Sequence, residues 1–185
     1  MQPATCGRKI AVIGSGHLGL TLGASLALLG HDVECTDRSA ERVADLTKGS
    51  VPLVEEGLTE LVRRMLRAGR LRFGTSNAGA SRHAEFVFLC LPTPSDPNGR
   101  ADLSFVRAVA LEIGPTLLPG ATVITKSTVP IGTCEMLEQA IGRKDIQVVS
   151  NPEAWQQALM SASTARRSPY VEGAGSSLLS TAGGK

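Results

Sequence analysis

Short apolar runs alternate with longer segments of helical periodicity along most of the chain. The short runs are rich in β-branched or aromatic residues and are bounded by turn residues, which is typical of strands. They are KIAVIG, DVECTD, EFVFLCLP, ATVITK and IQVVSN, beginning at Lys9, Asp32, Glu85, Ala121 and Ile146. Several are apolar on both faces, which favours a parallel sheet covered by helices on both sides.

Helices are predicted between these strands. Their ranges are 18–29, 40–47, 58–68, 103–117 and 132–141. The first three stop at or just before Gly30, Gly49 and Gly69, and Asp102 precedes the fourth as a candidate N-cap. This alternation predicts right-handed βαβ crossovers, and therefore an α/β fold with a Rossmann-like, doubly wound parallel sheet.

The chain of 185 residues is long enough for one domain of ordinary size. We expect a single domain over residues 1–153, followed by an irregular tail over 154–185. The tail is dominated by small residues and keeps no helical or strand period. Disorder is expected after about Met160, because small residues offer little apolar surface to offset the entropy of ordering.

Composition and charge favour a small-molecule partner. The chain is 42% hydrophobic and 19% charged, and its formal net charge is +2. This balance argues against disorder of the whole chain and against a basic nucleic-acid surface. The apolar run from Ile10 to Gly30 follows two basic residues as a signal peptide would, but its glycines and its change from strand to helix favour a cytoplasmic protein without membrane contact.

Four cysteines, Cys6, Cys35, Cys90 and Cys134, lie far apart in the sequence. They form no C-x-x-C pair, and no histidine cluster accompanies them, so no metal site is predicted. We interpret them as reduced thiols. Cys35 and Cys90 lie in predicted strands, where a free thiol usually acts as a small apolar side chain.

The segment GSGHLG matches the dinucleotide-binding pattern G-x-G-x-x-G between a strand and a helix. Gly14 would allow the tight turn, Gly16 would let the backbone approach a pyrophosphate, and Gly19 would let the helix pack closely on the strand. Asp37 follows 18 residues after Gly19, at the end of the next strand. A carboxylate there can bind the hydroxyls of an adenosine ribose.

Asp37 favours NAD over NADP, because its charge would repel a 2′-phosphate. Arg38 and Arg42 moderate this preference, since arginines near that corner could bind a 2′-phosphate or could simply lie in solvent. His17 could face the cofactor or be an exposed residue at the start of the helix.

Hydroxyl and carboxylate side chains follow three later strands. Thr93 lies in LPTP, and Ser127 and Thr128 lie in KSTVP. They could contact a ligand, because open α/β sheets bind ligands at the carboxyl ends of their strands, or they could only stabilise turns. Glu153, after the last strand, could order a water or be an exposed turn residue.

Together these segments resemble the N-terminal domain of the UDP-glucose dehydrogenase family, within the nucleotide-sugar dehydrogenases. The motifs that carry the resemblance are KIAVIGSGHLGL, Asp37, VPLVEEGLTELV, GRLRF, VFLCLPTP, ADLS, KSTVPIGT and VVSNPE, between Lys9 and Glu153. The resemblance implies NAD-dependent, two-step oxidation of the 6-hydroxyl of UDP-glucose to the carboxylate of UDP-glucuronate, through a thioester on a cysteine.

The resemblance also implies roles for the residues that bind the adenosine half of the cofactor. The backbone around His17 and Leu18 would contact the pyrophosphate. Asp37 would bind the ribose, and Arg42, usually lysine in the family, would contact the adenosine end.

The catalytic side is implied in the same way. Thr93 and Thr128 would lie on the nicotinamide side. Thr128 and Glu153 would help to hold the catalytic water.

The chain departs from the family pattern after Glu153. It has Ala154, Trp155 and Gln157 where the family has Phe-Leu and a second glutamate, and none of its cysteines lies in the family's nucleophile motif. We therefore expect a truncated or frame-shifted member that carries only the cofactor half and is inactive alone, with its oligomeric state left open. The alternatives are an NAD-binding module without catalysis, or a dehydrogenase of another nucleotide sugar such as GDP-mannose.

Overall fold

The computed structural model describes residues 7–52, 57–94 and 101–152. The strands in these ranges are β1 (Lys9–Ile13), β2 (Asp32–Thr36), β3 (Leu71–Gly74), β4 (Phe86–Leu89), β5 (Thr122–Thr125) and β6 (Gln147–Ser150). The helices are α1 (His17–Leu28), α2 (Ala40–Thr47), α3 (Leu58–Arg67), α4 (Asn77–Ser81), α5 (Ser104–Ile113) and α6 (Thr133–Ile141), with a 3₁₀ turn at Gly114–Thr116. No helix in this part of the chain is long and apolar enough to cross a membrane. Glu153 and the predicted tail lie outside the described residues.

All of the strands pair in parallel, in the order β3-β2-β1-β4-β5-β6. Val12 in β1 pairs with Cys35 in β2 on one side and with Phe88 in β4 on the other. The chain therefore winds outward from β1 in one direction and from β4 in the other. This confirms the predicted doubly wound α/β sheet, and it places the reversal of strand order between β1 and β4.

The sequence reading missed the edge strand β3. The segment LRFG is short, with only Leu71 fully buried and Arg72 exposed, so it lacks the continuous apolar run of the central strands. Val33 and Cys35 of β2 nevertheless pair with Leu71 and Phe73 of β3. Among the described residues the sheet has six strands, whereas the sequence predicted five, and the short helix α4 after β3 was also not predicted.

Alternate residues of the central strands pack into two separate cores. Ile10 and Val12 face the core that includes residues of α1 and α3. Ala11 and Ile13 face the opposite core, which includes residues of α5 and α6. Because both faces of β1 are buried from Ile10 onward, this part of the strand is apolar and shows no alternation.

Helix α1 packs closely against the sheet at two of its glycines. A Cβ added to Gly19 would collide with the carbonyl oxygen of Gly14, and one added to Gly23 would collide with the Sγ of Cys35. Cys35 in β2 and Cys90, one residue after the end of β4, are buried and pack against this helix. The prediction that they act as small apolar side chains is confirmed.

The ends of the first three helices follow the prediction. At the end of α1, Gly30 has φ 100° and its N–H donates to the carbonyl of Ala27, while His31 donates to Leu26. This pair of bonds satisfies carbonyls that the helix itself leaves without a donor. Helices α2 and α3 likewise end just before Gly49 and Gly69.

The predicted start and end of the fourth helix were wrong. Helix α5 begins at Ser104 with Leu103 as its N-cap, so Asp102 lies one residue too early for that role. Its carboxylate still accepts a hydrogen bond from the Ser104 N–H at 2.9 Å, and the bonds to Ser104 hold the pKa of Asp102 below its usual value. The helix ends at Ile113, and a 3₁₀ turn replaces its expected last turn.

Candidate functional site

A cavity of about 560 Å³ opens at the carboxyl ends of β1, β2 and β4. It is the place where the strand order reverses, and open α/β sheets bind ligands at such a point. Glycine-turn residues Gly14 and Gly16 line one side, Asp37 lines another, and the chain after β4 contributes Cys90, Leu91 and Pro92. The volume lies in the range of small-molecule sites.

The glycine turn is shaped by two different constraints. Gly14 has φ 101°, its N–H donates to the carbonyl of Thr36 at 2.9 Å, and a Cβ there would collide with the carbonyl oxygen of Cys90. Gly16, the N-cap of α1, has an ordinary φ of −69°, and a Cβ there would meet no described atom within 4 Å. The fold therefore requires glycine at Gly14, whereas Gly16 leaves open space beside the cavity that a ligand could use.

The N-terminus of α1 begins at the cavity wall. Gly16, His17 and Leu18 line the cavity, and the first N–H groups of a helix have no acceptor within the helix itself. The first turn of α1, all of which is described, carries no acidic residue. This end of the helix is therefore suited to bind an anionic group such as a pyrophosphate.

Asp37 is held in place by two backbone hydrogen bonds. Its Oδ2 accepts from the N–H of Ser15 at 3.2 Å, and its Oδ1 accepts from the N–H of Ser39 at 3.0 Å. The Nη1 of Arg42 lies 4.0 Å from Oδ2 and also donates to the carbonyl of Ser15 at 3.4 Å. The Asp37 side chain is 14% exposed, so its carboxylate is fixed at the cavity wall but is still reachable from solvent.

A polar chain at the other wall was not predicted from the sequence. Thr36 donates through its hydroxyl to the Oδ1 of Asn77 at 2.8 Å, and Asn77 donates through Nδ2 to Glu112 of α5 at 3.0 Å. Thr36 and Asn77 both line the cavity. Asn77 lies just after the carboxyl end of β3, and this position could have marked it as a candidate site residue. The strand β3 itself, however, was not predicted from the sequence.

The threonines after β4 and β5 lie next to each other. The hydroxyl of Thr93 donates to the backbone carbonyl of Thr128 at 3.4 Å, and the Ser127 hydroxyl donates to the carbonyl of Leu91. Neither threonine is among the described residues that line the cavity, and the Thr128 side chain is exposed. The structure thus brings these two strand ends together outside the cavity wall.

The predicted site residues therefore fall into two groups. Those that line the cavity are Gly14, Gly16, His17, Leu18, Asp37 and Arg42, with Gly19 buried behind the turn. The second group is the pair of threonines after β4 and β5. Their predicted roles stay predictions, and Glu153 lies outside the described residues.

Two of the described cysteines, Cys35 and Cys134, are not set up as nucleophiles. Burial raises the pKa of the Cys35 thiol, and the charges of nearby groups raise it further. Burial also raises the pKa of Cys134, with Glu135 and Glu138 acting in the same direction. Because the thiolate is the reactive form, both shifts lower the reactivity of these side chains.

Comparison with known proteins shows what this arrangement is similar to. Residues 8–171 match the NAD binding domain of the UDP-glucose/GDP-mannose dehydrogenase family, so the match continues beyond Glu153, where the recognised motifs end. A UDP-glucose 6-dehydrogenase of Pseudomonas aeruginosa is 42% identical over 153 residues, covering 78% of this chain and 34% of that protein. The chain thus spans about a third of the length of the curated relatives that it matches.

Solved structures show the same similarity. A UDP-glucose dehydrogenase of Pyrobaculum islandicum superposes with a TM-score of 0.74 at 33% identity, covering 83% of this chain and 37% of that one. A GDP-mannose dehydrogenase of Pseudomonas aeruginosa, solved as a ternary complex, gives 0.72 at 31% identity, covering 78% and 36%. The predictions of the family and of NAD as its cofactor are confirmed.

Proposed function

This chain belongs to the UDP-glucose/GDP-mannose dehydrogenase family, and from that premise we propose that it is the cofactor-binding part of a nucleotide-sugar 6-dehydrogenase. The complete enzyme would oxidise the 6-hydroxyl of UDP-glucose to the carboxylate of UDP-glucuronate. The observation that carries the proposal is the Asp37 carboxylate, held by two backbone N–H groups beside the glycine turn. This carboxylate is a fixed hydrogen-bond acceptor after β2. The site suited to a pyrophosphate lies after the neighbouring strand, β1.

The residues present fit NAD. Each carboxylate oxygen can accept about two hydrogen bonds, and each oxygen of Asp37 accepts one from the backbone, so both keep capacity for a ribose hydroxyl. The pyrophosphate would lie over Gly16 and the N-terminal amides of His17 and Leu18. Gly14 and Gly19 would act indirectly, by shaping the turn and letting α1 approach it.

The part of the cavity at Asp37 disfavours NADP. A 2′-phosphate would lie against the Asp37 carboxylate and meet a like charge. Arg42 does not reverse this, because its guanidinium is already shared between Asp37 and the Ser15 carbonyl. We assign Arg42 to the adenosine end of NAD, where it also steadies Asp37.

The nicotinamide side is assigned to Thr93 and Thr128. Their contact joins the ends of β4 and β5, two strands on the other side of the reversal from Asp37. Bound NAD supplies the hydride acceptor for alcohol oxidation. Thr128 and Glu153 would hold the water that hydrolyses the acyl intermediate, an assignment that rests on resemblance alone.

The 185-residue chain alone is proposed to bind NAD without oxidising a sugar. A thioester route needs a thiolate aimed at the substrate aldehyde. Support comes from the described cysteines, since Cys35 is fully buried and the pKa values of Cys35 and Cys134 are raised. The proposal includes a domain boundary near Glu153, followed by a separate segment over residues 154–185.

A chimera tests the proposal. Residues 8–152 of this chain would replace the matching segment of the Pseudomonas aeruginosa UDP-glucose 6-dehydrogenase. The chimera should reduce NAD when UDP-glucose is added, and the same chimera carrying Asp37→Asn should need much more NAD. A folded chimera that binds UDP-glucose but never forms NADH would contradict the proposal.

GDP-mannose is the second candidate substrate. It is favoured by the similarity to a GDP-mannose dehydrogenase structure at nearly the same TM-score. The matching chimera with a GDP-mannose 6-dehydrogenase separates the two, since only the compatible host should give a fully active enzyme.

A further inference from the structure

An arginine and an aromatic ring meet across the cavity. The guanidinium carbon of Arg38 lies 5.6 Å from the centre of the Phe105 ring, within the range of a cation–π contact. Arg38 follows β2 directly, whereas Phe105 lies in the first turn of α5, in the other half of the fold. Both residues line the cavity, and the contact joins its two sides.

The position of this pair relative to Asp37 suggests what it meets. In the proposed binding mode the pyrophosphate lies over Gly16, and the adenosine ribose lies at Asp37. The adenine base, attached to that ribose on the side away from the pyrophosphate, must lie beyond Asp37. Arg38 is the next residue along the chain, and both Arg38 and Phe105 line the same cavity as Asp37.

The chemistry of the pair suits a flat base. A guanidinium group is planar, weakly hydrated and able to stack on aromatic faces, and proteins use it as a platform for nucleobases. Phe105 is partly buried and packs against the core of α5 and α6, so it gives the exposed Arg38 side chain a fixed support. A supported guanidinium loses less rotamer freedom when a base stacks on it.

We propose that Arg38, supported by its contact with the Phe105 ring, is the stacking platform for the adenine of the cofactor. The proposal rests on the NAD site proposed above and deepens it by naming the residues that recognise the base. Its key property is the flat face of the side chain rather than the positive charge. Arg38 is therefore a positioning residue for the base.

Three substitutions of Arg38 separate flatness from charge. Arg38→Ala removes both, Arg38→Lys keeps the charge only, and Arg38→Tyr keeps a flat face only. Titration calorimetry with NAD on the full chain should give about 5- to 20-fold weaker binding for the Ala and Lys variants, but a loss of no more than about twofold for the Tyr variant. Arg82→Ala, at an exposed arginine outside the cavity lining, is the matched control and should bind NAD like the wild type.

Substitutions of Phe105 form the second part of the test. Phe105→Leu keeps an apolar contact with the core but removes the ring, and NAD binding should weaken about 2- to 5-fold, whereas Phe105→Tyr should bind normally. The thermal midpoints of both variants, compared with wild type, show that the fold is intact.

The order of NAD affinities among the Arg38 variants tests the proposal. The proposal is supported only if the Tyr variant binds NAD clearly more tightly than the Ala and Lys variants. A Lys variant that matches wild type would indicate a phosphate contact, and an Ala variant that matches wild type would indicate no role; either result overturns it. A wild-type chain that binds no NAD would instead overturn the proposed function.

Discussion

The Asp37 carboxylate accepts a hydrogen bond from the backbone N–H of Ser15 at 3.2 Å. This bond ties the end of β2 to the glycine turn after β1, so the two parts of the proposed cofactor site are positioned by each other. The Ser15 hydroxyl strengthens the link by donating to the carbonyl of Thr36 at 3.1 Å. Removing the charge of Asp37 should therefore affect ligand binding and the geometry of the turn together.

We expect Asp37→Asn to weaken NAD binding about tenfold. The amide is the same size, but it replaces a charge-assisted acceptor, and such hydrogen bonds are worth about 1.5–3 kcal/mol. Discrimination against NADP should fall at the same time, because the like charge that faces a 2′-phosphate is gone. Calorimetric titration with both dinucleotides measures the two effects, and Asp45→Asn on the exposed face of α2 is the control. Unchanged affinity for NAD would remove Asp37 from the site.

We expect the Gly16→Ala variant to fold normally but to bind NAD more weakly than the wild type. A Cβ at Gly16 meets no described atom within 4 Å and its φ suits alanine, so the thermal midpoint should stay close to that of wild type. The methyl group would occupy the space that a pyrophosphate needs, and NAD affinity should drop by at least about tenfold.

Gly19→Ala is the matched contrast. Its Cβ would collide with the Gly14 carbonyl oxygen, so it should destabilise the fold by about 1–3 kcal/mol. Chemical denaturation of both variants, followed by NAD titration, separates a binding defect from a folding defect. If Gly16→Ala bound NAD normally, the pyrophosphate would not lie over that residue.

The contact between Gly23 and Cys35 predicts a change of sign in a double-mutant cycle. Gly23→Ala alone should destabilise by about 1–3 kcal/mol, because the new Cβ collides with the buried Sγ. In a Cys35→Ala background the collision is gone, and the better helix propensity of alanine should stabilise by up to about 1 kcal/mol. Urea denaturation of the four proteins gives the cycle. Additive effects would show that α1 moves away from the sheet without cost.

Alkylation of the native protein should modify Cys134 before Cys35 and Cys90. Both of the latter are buried, Cys35 in β2 and Cys90 directly after β4. Burial and the nearby Glu135 raise the pKa of Cys134, so its reaction rate should rise with pH over a higher range than that of a free cysteine thiol. Mass spectrometry after iodoacetamide treatment across a pH series measures this. Fast labelling of Cys35 at neutral pH in the folded protein would contradict the packing described for β2.

The sequence predicted the parts of the fold that depend on continuous local patterns. Strands β1 and β4 pack apolar side chains on both faces, so their apolar runs stand out, whereas β2 alternates buried Val33 and Cys35 with partly buried polar residues. The glycine turn follows β1 directly, and Asp37 follows β2. Edge strand β3 has no such run, and α4 after it is too short to show a helical period.

Residues brought together only by the tertiary fold could not be found in this way. Asn77 and Phe105 follow different strands, and each reaches the cavity because β3 and β4 lie on opposite sides of the β2-β1 pair. Thr93 and Thr128 were correctly expected at strand ends. Whether a side chain at a strand end lines a cavity depends on the path of the next few residues, which the pattern does not specify.

Backbone amide shifts recorded during an NAD titration of the 185-residue chain test the central claim most directly. The account predicts saturable changes at Ser15, Gly16, His17 and Ser39, which surround the glycine turn and the Asp37 carboxylate, with little change at the C-terminal end of α6. No shift with NAD, or shifts confined to residues away from the carboxyl ends of β1, β2 and β4, would contradict it.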